Sequence, residues 1–164
     1  MKLLVLLRWS FLLVFLALSW GAAAETLPGK VVRVVDGDTL LLLTSGNVEE
    51  RIRLSGIDCP ERKQAFGTRA KEALLERVGG EAVTIEWDKR DRWERIVGKV
   101  IDAEGDVNLA LVRKGMCWWY RKYAHEQSDV DQALYEAAEG KARREGKGLW
   151  QDPDPVPPWK WRRR

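Results

Sequence analysis

The chain has 164 residues, of which 45% are hydrophobic and 32% charged, and its formal net charge at pH 7 is +3. This length suits one globular domain behind a short leader. The sequence contains one histidine, His125, and two cysteines, Cys59 and Cys117. That inventory disfavours zinc sites, other histidine-based metal sites and serine–histidine hydrolysis.

Residues 1–24 have the features of an export signal. Lys2 and Arg8 give a basic start, Trp9–Trp20 is apolar, and Ala22–Ala24 supplies the small residues that signal peptidase reads. We predict cleavage after this triplet, which would leave a periplasmic or secreted protein. The alternative is an uncleaved membrane anchor, but the apolar run is shorter than the roughly 20 residues needed to span a bilayer. Cleavage would lower the formal charge to +1, so affinity for nucleic acid must come from local patches.

Five stretches of the remaining chain have the composition of β-strands. Each is rich in β-branched or aliphatic residues, and turn residues or charged loops separate them. The predicted strands are Val31–Val35, Thr39–Leu43, Arg51–Ile57, Glu81–Trp87 and Arg95–Ile101.

Three further stretches have apolar residues at helical spacing. One helix is predicted within Glu61–Gly80, and glycines end it. A short helix begins at a cap formed by Asp106 or Asn108 and ends before Gly115, and a third runs from Val130 to about Arg144. The intervening Met116–Tyr123 is aromatic and basic, and we predict that it is extended.

The last residues, 152–164, form a tail that is first proline-rich and then basic. Proline excludes a central strand and disfavours a helix, and little of the tail is apolar enough to bury, so we predict neither element there. Residues 25–151 would then form the domain. Their order of elements predicts an α+β fold, a five-stranded Greek-key β-barrel of the OB type with about three α-helices.

Acidic residues stand where the predicted strands end. Asp36 and Asp38 follow the first strand, Asp58 and Glu61 follow the third, and Arg53 lies inside the third. If these strands are neighbours, the side chains converge at one end of a sheet. Convergent carboxylates suit a hard cation, and a nearby arginine suits a phosphate.

Each of these features also has an ordinary structural explanation. Asp36-Gly37 is typical of a hairpin turn, and Glu61 after Pro60 is typical of the start of a helix. A buried arginine is usually paired, so a structural salt bridge would account for Arg53. Arg95, taken singly, would be a solvated surface charge.

In combination, the residues resemble the staphylococcal nuclease (thermonuclease) family. The resemblance runs in order through VVDGDTL, RIRLSGIDCPE, DRWERIVGKV, VNLALVRKGMCWWYRKY and the closing EA…AR…GKGLW. It implies an OB barrel with three helices. It also implies calcium-dependent hydrolysis of DNA and RNA phosphodiesters, with products that end in 3′-phosphate.

The resemblance implies a calcium site. Asp38 and Asp58 correspond to the two carboxylate ligands, and Asp36 to an outer acidic neighbour of the metal. Cys59 stands where the family supplies a main-chain carbonyl, commonly from threonine.

The resemblance also implies catalytic and substrate-binding residues. Arg53 and Arg95 correspond to the paired phosphate arginines, and Glu61 to the acid that positions or deprotonates the attacking water. The positions near the nucleotide and its phosphates are Arg92, Trp93 and Tyr120. The family usually has tyrosine in place of Trp93 and often glycine in place of Glu94.

The family fold brings the segments of Cys59 and Cys117 side by side, so the resemblance implies a disulfide, with two buried free thiols as the alternative. The expected partner is DNA and/or RNA, and we expect a monomer with no stable membrane association after signal cleavage. Two other functions stay open at this point. They are a noncatalytic OB module that binds nucleic acid or protein, and an exported barrel with a structural calcium.

Overall fold

The computed structural model of the protein describes residues 25–164. Its strands are β1 (Glu25–Asp36), β2 (Thr39–Thr44), β3 (Glu49–Leu54), β4 (Ile57–Asp58), β5 (Ala82–Arg90), β6 (Ile96–Asp102), β7 (Gly105–Asp106) and β8 (Trp118–Trp119). Its α-helices are α1 (Gly67–Val78), α2 (Val107–Arg113), α3 (Asp129–Arg144) and α4 (Pro158–Trp161). Two 3₁₀ helices cover Arg121–Glu126 and Gly148–Gln151.

Five of the strands close into a barrel. Antiparallel pairing joins β3 to β2, β2 to β1, β1 to β5 and β5 to β6, and a parallel pairing of β3 with β6 closes the ring. The α+β fold with a five-stranded OB-type barrel is therefore confirmed. Each of the five predicted strands overlaps one of these five elements, although β1 begins earlier than predicted.

The barrel interior follows from the alternation along the strands. Leu40 and Leu42 on β2, and Ile52 and Leu54 on β3, are buried, while the residues between them are more exposed. Successive side chains of a strand point to opposite faces, so this pattern places one apolar face inside. Each such side chain contributes about 1.5–3 kcal/mol to the free energy of folding when it is fully buried.

Helices cover the barrel from outside. α1 packs on β1, and α2 packs on β6 and on α3. Of the two predicted caps for α2, Asp106 is the one used, because its side chain accepts a hydrogen bond from the Leu109 N–H. Asn108 is instead the second residue of α2, and its side chain is fully buried in the protein. Its amide donates to the Ser55 carbonyl and accepts from the Val100 N–H.

The predicted third strand is wrong in its extent. β3 ends at Leu54, and Ser55-Gly56 forms a turn with Gly56 at φ 71°, a backbone conformation that favours glycine. The chain then forms β4, which pairs antiparallel with β8 rather than with the barrel. The extended structure predicted for Met116–Tyr123 is limited to β8, since the chain enters a 3₁₀ helix directly afterwards.

The prediction for the tail is also wrong. Pro158 begins the short helix α4, where the missing N–H of proline costs nothing, and its ring is buried. The Trp159 ring stacks on Tyr120 with the centroids 5.2 Å apart, and it meets Trp118 edge-on at 5.6 Å. Residues 152–164 are therefore docked on the domain, and we call them the C-terminal segment.

The predicted export signal lies outside the described residues. Within residues 25–164, no helix has both the length and the apolar composition that crossing a bilayer requires.

Candidate active site

A cleft of about 550 Å³ lies between the β1–β2 turn, the β3–β4 segment, the β5–β6 loop and the chain after β8. Every residue that the resemblance placed at the metal, the phosphate or the nucleotide lines it. These residues are Asp36, Asp38, Arg53, Asp58, Cys59, Glu61, Arg92, Trp93, Arg95 and Tyr120. The barrel thus gathers at one opening residues that lie far apart in the chain.

Two buried carboxylates converge on Arg53 in this cleft. One nitrogen, Arg53 Nη2, lies 3.3 Å from Asp38 Oδ2 and 3.3 Å from Asp58 Oδ1. The same guanidinium donates to the main-chain carbonyls of Leu54 and Ile57. Arg53 is therefore held by both charge and backbone, and the two acids lie within reach of a single cation.

Backbone N–H groups fix the carboxylates further. The Cys59 N–H donates to Asp38 Oδ2 at 2.9 Å, and the Asp38 N–H donates to Asp36 Oδ1 at 3.2 Å. Burial raises the pKa of Asp58 above its usual value, although hydrogen bonds and charge from Arg162 and Arg53 oppose this. Burial, together with the charge of Asp38, likewise raises the pKa of Asp36.

The chemistry of these donors fits a hard divalent cation. Asp36, Asp38 and Asp58 offer only oxygen atoms, which is what Ca²⁺ prefers, and their burial and mutual repulsion would be relieved by a bound positive charge. Among residues 25–164, however, no three Asp, Glu, His or Cys side chains are arranged as a metal site. The oxygens of Asp38 and Asp58 contact arginine nitrogens, and backbone N–H groups donate to Asp36 and Asp38.

One of those arginines was not anticipated. Arg162, in the C-terminal segment, donates from Nη2 to Asp58 Oδ2 at 2.7 Å and from Nη1 to Asp58 Oδ1 at 3.1 Å. Its Nη1 also lies 2.7 Å from Glu61 Oε1. The hydrogen bonds to Asp58 raise the pKa of the Arg162 guanidinium, so it stays charged. In the sequence, the alternation of tryptophan and basic residues in WKWR is the signal for docking of this segment.

The predicted partner of Arg53 has a different contact. Arg95 lines the cleft, but its Nε donates to Asp91 Oδ2 at 2.8 Å. It is therefore paired with an acid other than Asp36, Asp38 and Asp58. Burial would raise the pKa of Asp91, but the hydrogen bonds from Arg95 and from the Trp93 N–H hold it below its usual value. The two arginines thus line one cleft, yet in this state only Arg53 contacts the acids.

An aromatic and basic rim stands beside Arg95. Trp93 is 61% exposed, with the Arg92 guanidinium 4.0 Å and the Arg95 guanidinium 5.1 Å from its ring centroid. Exposed aromatic rings next to cations are the usual platform for nucleobases and their phosphates. Across the cleft, Tyr120 meets Tyr123 edge-on at 5.0 Å.

The family described as "Staphylococcal nuclease homologue" matches residues 51–152. The chain is also 40% identical to an uncharacterized endonuclease of Escherichia coli, over 93% of this chain and 95% of that protein. It is 39% identical to a micrococcal nuclease of Shigella flexneri, over 82% and 80% of the two chains. An uncharacterized endonuclease of Haemophilus influenzae is 37% identical, over 96% and 85%.

The chain belongs to the staphylococcal nuclease family. The resemblance in its motifs is therefore confirmed, and the protein is a nuclease, that is, a hydrolase. This function gives the cleft its substrate class, because a nuclease acts on nucleic acid.

A disulfide lies next to Asp58 in this nuclease site. Cys59 and Cys117 are bonded, with their Cα atoms 4.2 Å apart. Asp58, directly before Cys59, pairs with Trp118 across the β4–β8 ladder. A two-residue strand is a weak element by itself. The bond therefore restrains the backbone next to Asp58.

The loop before Arg95 holds one residue in an unusual backbone conformation. Glu94 has φ 60°, which lies in the left-handed region. A residue with a Cβ is strained there by roughly 1–2 kcal/mol. Glycine, which the resemblance led us to expect here, would adopt this conformation without that strain.

Proposed function

We propose that this nuclease cuts within DNA and/or RNA chains by hydrolysing phosphodiester bonds, with Ca²⁺ as its cofactor. The convergence of Asp38 and Asp58 on Arg53 carries the proposal. It places donors for a hard cation beside a guanidinium that suits a phosphate. The endonuclease relatives support the mode of cleavage.

The acidic side chains hold the cofactor in this proposal. Asp38 and Asp58 would be carboxylate ligands, the Cys59 carbonyl a third ligand, and Asp36 an outer acidic neighbour. When bound, Ca²⁺ supplies Lewis-acid stabilisation of the negative charge that builds on the phosphate.

The arginines and Glu61 act on the reacting groups. Arg53 and Arg95 donate paired hydrogen bonds to the phosphate oxygens and so stabilise the transition state. Glu61 accepts a proton from the attacking water as a general base. A new P–O bond forms to that water and the P–O5′ bond breaks, while solvent protonates the departing oxygen. The product then ends in 3′-phosphate, an outcome that the family resemblance supports.

The rim residues bind the substrate. Arg92 faces phosphates, and Trp93 and Tyr120 offer rings for nucleobases, because all three line the cleft and Trp93 is largely exposed. This assignment predicts binding through the backbone and through stacking, both of which tolerate different sequences.

The decisive experiment compares residues 25–164 with the variants Asp38→Ala and Asp58→Ala on denatured DNA, with Ca²⁺ or with a chelator. The wild type should cleave only with Ca²⁺, and both variants should lose this activity because each lacks one metal carboxylate. Asp88→Ala, which removes an exposed acid of β5 outside the cleft, is the matched control and should remain active. Mass spectrometry of the products should show 3′-phosphate.

Three results would contradict parts of the proposal. Full activity in both aspartate variants would overturn the site, and undiminished cleavage in chelator would overturn the cofactor. Binding of DNA without any cleavage would favour the noncatalytic OB module.

We further propose that the mature protein is an exported monomer, periplasmic or secreted, with no stable membrane association. The basic, apolar and small-residue pattern of residues 1–24 supports export, and so does a disulfide, which persists in oxidising compartments. N-terminal sequencing of protein from the native host should begin at Glu25. A protein that starts at Met1 and pellets with membranes would contradict this.

A further inference from the structure

Arg162 occupies the two carboxylates on which the proposed chemistry depends. It forms a bidentate pair with Asp58, assigned above to the metal, and a third contact with Glu61, assigned to the water. No other described arginine bridges these two acids. A guanidinium in this position neutralises the acids without supplying a Lewis acid.

Packing rather than chance places Arg162 there. α4 carries it, and the Arg162 N–H donates to the Pro158 carbonyl at 3.0 Å. The Trp159 ring is stacked on Tyr120, and Gln64 donates to the Val156 carbonyl. The contact is therefore held by a docked segment with aromatic and backbone contacts of its own.

Docking of the C-terminal segment also covers Tyr120, one of the residues proposed to bind the substrate. Tyr120, assigned to the nucleotide, has one face against Trp159 at an interplanar angle of 13°. A base cannot stack on that face while Trp159 is there. The C-terminal segment thus engages a metal ligand, the water-binding acid and a stacking surface together.

We propose that the C-terminal segment is autoinhibitory, with Arg162 competing against the divalent cation for Asp58 and Glu61, and with Trp159 competing against the substrate for Tyr120. This inference rests on the proposed function, because it takes these residues as metal ligand, general base and nucleotide contact. It gives a role at the site to a segment for which the sequence predicted neither a helix nor a strand.

The surroundings of the contact suit a reversible device. The Arg162 side chain is 43% exposed while Asp58 is buried, so the guanidinium can move out into solvent, whereas the buried acid is left needing another cation. A divalent cation can therefore displace it. The segment also holds a cluster of positive charge, composed of Lys160, Arg162, Arg163 and Arg164. A polyanion attracts such a cluster, so the nucleic-acid substrate helps to draw the segment away from the cleft.

Competition has a measurable consequence. If only the open state binds the cation, the apparent Kd equals the intrinsic Kd divided by the open fraction. A segment that is docked about nine-tenths of the time therefore weakens apparent affinity about tenfold. Removing the competitor restores the intrinsic affinity.

The test is calorimetric titration of Ca²⁺ into residues 25–164, without nucleic acid, for the wild type, Arg162→Ala and Trp159→Ala. Arg162→Ala should bind Ca²⁺ about tenfold more tightly because the competing cation is gone. Trp159→Ala, which undocks the segment and leaves every charge in place, should shift affinity in the same direction. Arg163→Ala, which removes one charge from the neighbouring exposed position, is the matched control and should shift it less than about twofold by screened electrostatics alone.

A second readout follows the segment itself. Amide hydrogen exchange of residues 153–164 should become faster when Ca²⁺ and a non-cleavable oligonucleotide are added, and thermal melting should show that all variants remain folded. Unchanged or weaker calcium affinity in Arg162→Ala would overturn the autoinhibition. No calcium binding by any variant would overturn both this inference and the proposed cofactor, so the two failures are distinguishable.

Discussion

Two arginines bind Asp58, one from the barrel wall and one from the C-terminal segment, and they differ in how the backbone holds them. Arg53 lies on β3, its side chain is 15% exposed, and two main-chain carbonyls fix its guanidinium in addition to the acids. Arg162 lies at the end of a four-residue helix and is 43% exposed. We therefore expect the ion pair of Asp58 with Arg53 to be permanent and the one with Arg162 to be exchangeable, because the two guanidinium groups differ in exposure and in backbone contacts.

The largest effect is expected from loss of the Cys59–Cys117 disulfide, which lies beside Asp58 on the barrel side. Replacing both Cys59 and Cys117 by alanine should lower the free energy of unfolding by about 4 kcal/mol, because the bond closes a loop with a sequence separation of 58. It should also weaken calcium affinity, since the backbone at Asp58 would then be joined to the neighbouring chain only by the β4–β8 ladder. Denaturant unfolding and calorimetry measure the two effects. Unchanged stability in the double variant would show that the ladder suffices.

The next effect concerns the fixed arginine and its partner across the cleft. Arg53→Lys and Arg95→Lys should each lower kcat by roughly 10²–10³, since lysine cannot make the paired contacts and one lost donor typically costs this much. Arg113→Lys, at an exposed position on α2, is the control and should be neutral. A loss below about threefold at either position would remove that arginine from the phosphate clamp.

The exchangeable side should respond less in stability. Truncation before Pro153 should leave a folded, active nuclease and cost about 2–3 kcal/mol, because it removes a partly exposed ion pair, the two aromatic contacts of Trp159 and the hydrogen bond from Gln64 to Val156. Thermal melting and the initial rate on denatured DNA check this. Loss of folding would instead make the segment part of the domain.

The smallest effect is expected at Glu94, in the loop before Arg95. Glu94→Gly should stabilise the protein by up to about 1 kcal/mol, because glycine adopts φ 60° without strain and the backbone-entropy cost offsets part of the gain. Melting temperature is the measurement. Destabilisation would mean that the glutamate side chain makes a compensating contact.

The barrel and most of the site were predictable because their signals are local. A short aliphatic run bounded by turn residues predicts β2, and alternating residues predict β3. Acids at strand ends predict where Asp38 and Asp58 converge once the strands are neighbours. The position of Arg95 in the cleft followed from the family motifs, but its pairing with Asp91 did not, because both charges lie in a run where many partners are available.

What escaped prediction depends on long-range contacts. The division of the third strand arises because Gly56 turns the chain and β4 finds its partner in β8. The docking of the C-terminal segment needs the Tyr120 ring as a surface for Trp159. Proline-rich composition suggested an undocked tail, but tertiary packing overrode that local preference.

The disulfide also has a consequence for folding kinetics. The β4–β8 pairing joins parts of the chain that are distant in sequence, and such non-local contacts slow folding because a long loop must close first. Once Cys59 and Cys117 are joined, this contact becomes effectively local, and the enclosed strands β5 and β6 search within a closed loop. We expect the oxidised chain to refold faster than the reduced chain in stopped-flow experiments, and equal rates would show that the barrel closes before β4 meets β8.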